Sequence, residues 1–263
     1  MPKKIRYLRV NPAGNITAFV LSDVASDERV RVGRFLMALD PTIEQVGFVL
    51  HDDDGAIASL AMMGGEFCGN ATRSFGLYVA MSERKSGTTT ERVRVSGTTR
   101  PLDVLVNVEA SRARVSLPPA LEVKSVSFEG EHVLVVLEGI CHLIVTDRLE
   151  DPDFVRRALA FLPSVVSSEA YGVLFLDLER LQMAPYVYVV SADTLYREGS
   201  CGSGSFAVAT AYLEALDLGE KTVLLEQPSG AIELSAFHQE GGALVPAIGG
   251  VVEMSAPQDV LMP

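Results

Sequence analysis

The sequence predicts an α+β protein built from two similar halves. Three observations predict it. Most of the chain reads as short apolar or alternating runs of strand length, punctuated by Gly, Pro, Asp and Ser. Only four segments carry a helical period, and one Cys-Gly segment recurs about half a chain later.

The strand runs of the first half are Ile5–Val10, Ile16–Leu21, Val46–His51, Ile57–Met62, Arg92–Val95, Leu102–Val108 and Ala113–Leu117. The second half repeats the style at Val133–Leu137, Leu143–Thr146, Val173–Leu178, Tyr186–Val190, Val223–Glu226, Ile232–Phe237 and Val251–Met254. Asp27–Leu39 reads as a helix with Val30, Phe35, Leu36 and Leu39 on its inner side. Asp151–Phe161 starts on Asp-Pro and carries Phe154, Val155, Ala158 and Leu159 at helical spacing. Asn70–Arg84 and Ser203–Leu216 each begin directly after a Cys-Gly. Pro118-Pro119 is the best break, because a double proline ends regular structure. The expected division is residues 1–118 with Cys68 and 119–254 with Cys201, with 255–263 as a segment able to return to the first half.

A chain of 263 residues with 48% hydrophobic and 21% charged residues can bury a full core. A net charge of −12 argues against nucleic acid or an anionic membrane as the main partner. It leaves room for a small anionic substrate, because a helix start binds a carboxylate locally. Met1-Pro-Lys-Lys lacks an apolar stretch behind it, and no apolar run approaches the ~18 residues of a membrane span, so a cytoplasmic protein is expected. Three widely spaced cysteines fit a reducing compartment better than a disulfide framework.

The two cysteine segments read Glu66-Phe-Cys68-Gly69-Asn70-Ala71-Thr72 and Gly199-Ser-Cys201-Gly202-Ser203-Gly204-Ser205. Their separation, 201 − 68, is 133 residues. Each places a cysteine at a helix start, where unpaired N–H groups and the positive dipole end favour a thiolate. Asn70, Thr72, Ser203 and Ser205 can cap the helix or bind a ligand oxygen. Two such starts suit inversion of a carbon that bears hydrogen and carboxylate: one thiolate removes a proton and one thiol supplies it from the other face.

These residues resemble a known family. Cys68-Gly69-Asn70-Ala71-Thr72-Arg73 looks like the first cysteine signature of the diaminopimelate epimerase family, and Ser200-Cys201-Gly202-Ser203-Gly204 looks like its second. Gly14-Asn15-Ile-Thr-Ala-Phe19 is similar to its opening Gly-Asn strand, and Gly139-Ile140-Cys141-His142 stands where it has Gly-Asn-Pro-His. The four matches come in family order and span nearly the whole chain. The resemblance implies two pseudo-symmetric halves, each a mixed β barrel-like sheet around a central helix, with the active site between them. It implies racemisation or epimerisation of an amino acid without pyridoxal phosphate or metal. Carried over by position, Cys68 and Cys201 are the acid–base pair. Asn15, Gly69, Asn70, Gly202 and Ser203 hold the substrate, and His142 and Glu198 support the site.

This sequence departs from the diaminopimelate enzymes at three places that serve the substrate's distal head. The stretch Leu60–Gly65 lacks their Asn, Ile140 replaces another Asn, and the segment before the second cysteine shrinks to Arg197-Glu198-Gly199-Ser200. A buried polar head without partners is disfavoured. A single-headed amino acid therefore fits better, and the pattern also resembles the histidine racemases of this superfamily. Diaminopimelate epimerisation, a phenazine-biosynthesis-like isomerase of the same fold and a non-catalytic amino-acid binding module are the alternatives.

The remaining motifs read as structure. Cys141-His142 with His51, His132 or His238 lacks metal-ligand spacing, and Cys141 reads as packing. Asp52-Asp53-Asp54-Gly55 reads as a hairpin turn rather than a calcium loop. None of the five lysines has a Schiff-base setting. Folds with large sheet surfaces commonly dimerise, so a homodimer is the expected assembly.

Overall fold

The structure, a computed structural model, describes residues 2–50, 57–190, 193–239 and 241–263. His51 and the Asp52–Gly55 turn lie outside the described residues. The fold is a sheet-rich α+β, and the chain divides into two compact units, Met1–Val115 with Gly249–Pro263, and Ser116–Ile248.

In the first unit the chain runs β1 (Lys3–Asn11), β2 (Thr17–Val20), α1 (Arg29–Leu39), β3 (Gln45–Leu50), β4 (Ala58–Met62), α2 (Gly69–Ser82), β5 (Thr88–Val95), β6 (Leu102–Asn107) and β7 (Arg112–Val115). Strands β1 and β2 pair antiparallel, β2 and β3 parallel, β3 and β4 antiparallel, β4 and β5 parallel, and β5, β6 and β7 antiparallel in turn. Each parallel step spans a helical crossover: α1 lies between β2 and β3, and α2 between β4 and β5.

In the second unit the order is β8 (Glu122–Ser127), β9 (Glu131–Val136), β10 (Ile140–Val145), α3 (Pro152–Phe161), β11 (Ala170–Asp177), β12 (Gln182–Val189), β13 (Thr194–Arg197), α4 (Gly202–Ala211), β14 (Val223–Gln227), β15 (Gly230–His238) and the start of β16 (Leu244–Val251), which passes into the first unit at Gly249. The pairing series repeats: β9 and β10 antiparallel, β10 and β11 parallel, β11 and β12 antiparallel, β12 and β14 parallel, β14 and β15 antiparallel. Strands β17 (Glu253–Met254) and β18 (Gln258–Met262) then pair antiparallel with β1.

Helix α2 explains how the first cysteine is held. Residues Gly69–Leu77, Val79 and Ala80 are all buried, so the helix is enclosed on nearly every side. Phe75 meets Phe19 of β2 edge to face at 6.0 Å. Gly76 lets the helix approach β6: a Cβ there would stand 2.6 Å from Val104. Arg73 is fully buried, donating from Nε to Asn70 Oδ1 at 3.2 Å and from Nη1 to the Gly250 carbonyl at 3.3 Å. Helix α3 starts as its sequence demands, with Asp151 accepting from Asp153 N and Pro152 in the first turn. It buries Phe154, Val155 and Ala158 against Leu143, Val145, Val173 and Phe175.

Two expectations fail. On α1, Leu36 and Phe35 face the core as expected, together with Val32 and Gly33, but Val30 and Leu39 are exposed. The expected helix Ser203–Leu216 ends as α4 at Ala211. Among the described residues, no helix is long and apolar enough to cross a membrane.

Candidate active site

In the first unit, Cys68 is itself the N-cap of α2. Its backbone is extended and its Sγ accepts from Ala71 N at 3.4 Å. Gly69 and Asn70, expected just outside or at the cap, form the first helical turn. Thr72 does not cap; its Oγ1 donates back to the Cys68 carbonyl at 2.8 Å. Asn15, buried where β1 turns toward β2, places Oδ1 3.9 Å from Cys68 Sγ. The other end of that carboxamide donates from Nδ2 to Glu44 Oε2 at 3.3 Å. Burial holds the Glu44 carboxyl above its usual range against this hydrogen bond.

The second unit repeats the cap with a different surround. Cys201 caps α4, and its Sγ accepts from Gly204 N at 3.3 Å. Ser205 Oγ donates to the Cys201 carbonyl at 2.7 Å, as Thr72 does at α2. Ser203 Oγ lies 3.6 Å from Cys201 Sγ and 3.0 Å from His142 Nε2. His142 thus reaches the thiol through Ser203. Glu198 adds a carboxylate that hydrogen-bonds the Cys201 thiol.

The electrostatics of Cys201 reverse the expectation for a helix start. Burial first, then the charge of Glu198 and the hydrogen bond to it, push its thiol well above the ordinary value. Ser203 and the Gly204 N–H pull the other way and lose. A helix dipole contributes roughly 0.3–1 kcal/mol near a surface, whereas full burial moves a group by up to 3–5 pKa units. His142 is fully buried, and burial brings it down to about 3, so its imidazole is neutral. Cys141 is buried too, pushed up to about 12, and packs in the core of its unit.

Within the first unit, then, Asn15, Cys68, Gly69 and Asn70 come together. Within the second, His142, Glu198, Cys201, Gly202 and Ser203 do. Sequence reasoning missed Glu44, Gln227 and Gly172. Glu44 and Gln227 carry no local signal. Gln227 stands at the end of β14 and accepts from Cys201 N at 2.7 Å. Gly172 stood just outside the strand run read from Val173; the structure extends that strand to Ala170, and a glycine inside a strand marks close approach. A Cβ at Gly172 would lie 2.0 Å from His142 Nδ1, so the imidazole fills the space a side chain would take. Gly172→Ala should therefore destabilise the protein by about 1–3 kcal/mol. Thermal unfolding checks this, with a fall of about 2–4 °C per kcal/mol expected. An unchanged melting temperature would mean that His142 is not wedged as described.

The model of the histidine racemase CntK N-terminal domain matches residues 4–260. The chain belongs to this family. Among its relatives, a histidine racemase of Fusobacterium nucleatum is 29% identical over 245 residues, covering 89% of this chain and 90% of that protein. A histidine racemase of Staphylococcus aureus is 27% identical over 250 residues, covering 90% and 91%. Among solved structures, a predicted epimerase from Pseudomonas aeruginosa superposes with a TM-score of 0.69 at 12% identity, covering 97% of this chain and 99% of that one. That likeness shows the fold. Family membership makes the chain an isomerase of the racemase and epimerase type, in agreement with the resemblance that its two cysteine signatures carry.

Proposed function

We propose that this chain is a cofactor-independent histidine racemase whose acid–base pair is Cys68 and Cys201. The observation that carries the reading is the repeated cap: in each unit a cysteine, not a serine or aspartate, stands at the start of a buried helix and accepts from that helix's own N–H. A cysteine is not among the residues that capping favours, and a serine would cap as well or better. Its presence twice points to thiol chemistry.

The reaction runs as follows. One thiolate removes the α-proton of the bound amino acid, and the electron pair delocalises into the carboxylate. The other thiol delivers its proton to the opposite face, so the two groups exchange protonation states and nothing else is consumed. The helix starts supply N–H groups and positive dipole ends to the carboxylate as negative charge develops on it. Asn15, Gly69, Asn70, Gly202 and Ser203 hold the substrate. Burial and Glu198 favour the protonated thiol at Cys201 in the resting enzyme, which suits it to the acid's part for one enantiomer. His142, through Ser203, and Glu198 support the second thiol. We take the two units to be the two pseudo-symmetric halves of a diaminopimelate epimerase-like fold, each a barrel-like sheet around its central helix. Thiols that must stay reduced for this chemistry suit a cytoplasmic enzyme, and a homodimer is the assembly we expect.

Histidine is the substrate because the curated relatives are named for it and the distal polar positions of the diaminopimelate enzymes are replaced here. The test is incubation of enantiomerically pure histidine in heavy water without pyridoxal phosphate and with a chelator. Inversion is expected, with one deuterium at the α-carbon of the product. Turnover of diaminopimelate alone would overturn the substrate. Exchange with no amino acid under full reduction would overturn the racemase in favour of a binding module.

A further inference from the structure

Gln227 ends β14, and its side chain is almost fully buried. Its carboxamide oxygen accepts from the backbone N–H of Cys201 at 2.7 Å. Its nitrogen donates to Ser205 Oγ at 2.9 Å. Ser205 Oγ in turn donates to the Cys201 carbonyl at 2.7 Å. The three bonds close a ring around the two peptide groups that flank the Cys201 α-carbon.

Each bond in this ring has one possible direction. A backbone N–H only donates, so the carboxamide oxygen must face it and the carboxamide nitrogen must face Ser205. Ser205 has one proton, which the carbonyl receives. The turn after β14 adds a backbone bond, with Ser229 N donating to the Gly199 carbonyl at 2.9 Å. The segment from Gly199 to Ser205 is thus gripped at its entry, at its cysteine and one turn into its helix.

The first unit divides these tasks otherwise. Thr72 matches the Ser205 bond at Cys68. Ser96, which follows β5, accepts from Met62 N at 2.9 Å and donates to the Glu66 carbonyl at 2.9 Å, so it steadies the approach to the cysteine segment.

We infer that Gln227 is a positioning residue for the racemase, aiming the Cys201 thiol through the ring it closes with Ser205. The inference rests on the reading of Cys201 as an acid–base group. The two hydrogen bonds of Gln227 go to the Cys201 backbone and to Ser205 rather than to the thiol. It sets the two peptide planes from which the Cα–Cβ bond of Cys201 projects, while Gly204 N and Ser203 Oγ set the last torsion. Proton transfer is sensitive to such aim: a misplacement of about 1 Å can cost about 10²-fold in rate.

The experiment measures kcat and KM for histidine, and the pH profile of kcat/KM, in the parent, Cys201→Ser, Gln227→Met, Gln227→Glu and Ser205→Ala. Gln227→Met keeps the volume and deletes both bonds, so kcat should fall about 10–100-fold with KM within about twofold. Gln227→Glu keeps the acceptor for Cys201 N but cannot donate to Ser205. It should recover part of the lost kcat, and its added charge should move the thiol limb of the profile to higher pH, which Gln227→Met should not. Ser205→Ala breaks the ring at its middle bond and should give the same kcat loss at unchanged KM, which keeps the test decisive if Gln227→Met does not fold. Parent-like kcat in folded Gln227→Met, with Cys201→Ser inactive, would overturn the positioning role alone. Parent-like activity in Cys201→Ser would overturn both the role and the mechanism on which it rests. A drop in melting temperature without a change in kcat would mean that the ring only stabilises the fold.

Discussion

Cys201→Ser should slow histidine racemisation by about 10²–10⁴-fold, and Cys68→Ser by a comparable factor. Serine cannot serve as the base, because its hydroxyl ionises far above neutral pH, and it is a poor acid for the same reason. The folds should survive, since serine is a preferred N-cap and the helix N–H groups keep an acceptor. Melting temperatures close to the parent's would therefore separate lost chemistry from lost structure. Each variant keeps one thiol, so each should still exchange the α-proton of one enantiomer in heavy water. The two variants should prefer opposite enantiomers. Cys141→Ser is the control: it should keep its kcat and lose about 1–3 kcal/mol of stability, because a hydroxyl is left in an apolar core. Racemisation within a few-fold of the parent in either Cys68→Ser or Cys201→Ser would remove the two-thiol mechanism and leave the cysteines as unusual caps.

The cysteine segments were legible because everything that marks them is local. The cap, the glycine after it, the small polar residue and the hydroxyl at the fifth position all fall within one helical turn, and the turn occurs twice. The parts of the site that were not legible arrive through the sheet. Gln227 reaches Cys201 because β14 pairs with β12 and β15. Glu44 reaches Asn15 because β3 lies parallel to β2. No spacing in the chain announces either meeting. The strands show the same division. Most of those with several buried positions were read, while β8 and β18 each bury one residue and were missed. β13 buries none, and Pro246 with two glycines hides the pattern of β16. The misread face of α1 has a steric cause. Gly33 carries no hydrophobic signal, yet it faces inward because there is no room for a side chain: a Cβ would lie 2.2 Å from Met63 Sδ. Apolar counting favoured Val30 and Leu39, which stand on the solvent side.

His142 should make the protein acid-labile in a way that one substitution removes. Burial brings its pKa from 6.5 down to about 3 in the folded protein. The sign follows from which state takes the proton first. As pH falls below about 6.5, the unfolded chain protonates this histidine and the folded one does not, so the unfolded state gains. The contribution is fully present above the unfolded value and is lost as pH falls toward the folded one. One pKa unit is worth about 1.4 kcal/mol, so the loss from this residue between about pH 7 and about pH 5 is about 2 kcal/mol. It approaches about 5 kcal/mol only below the folded value. His142→Gln has no proton to take up. It should start less stable, because the bond to Ser203 and the fit against Gly172 are disturbed. Its urea midpoint should then fall less steeply over the same pH range, by the equivalent of about 2 kcal/mol. Parallel slopes for parent and variant would mean that His142 takes up its proton as readily in the folded as in the unfolded chain, and would overturn the lowered pKa. The same neutrality matters for the site. A charged His142 would draw the Cys201 thiol toward thiolate through Ser203, whereas a neutral one leaves Glu198 and burial to hold the proton where the proposed resting state needs it.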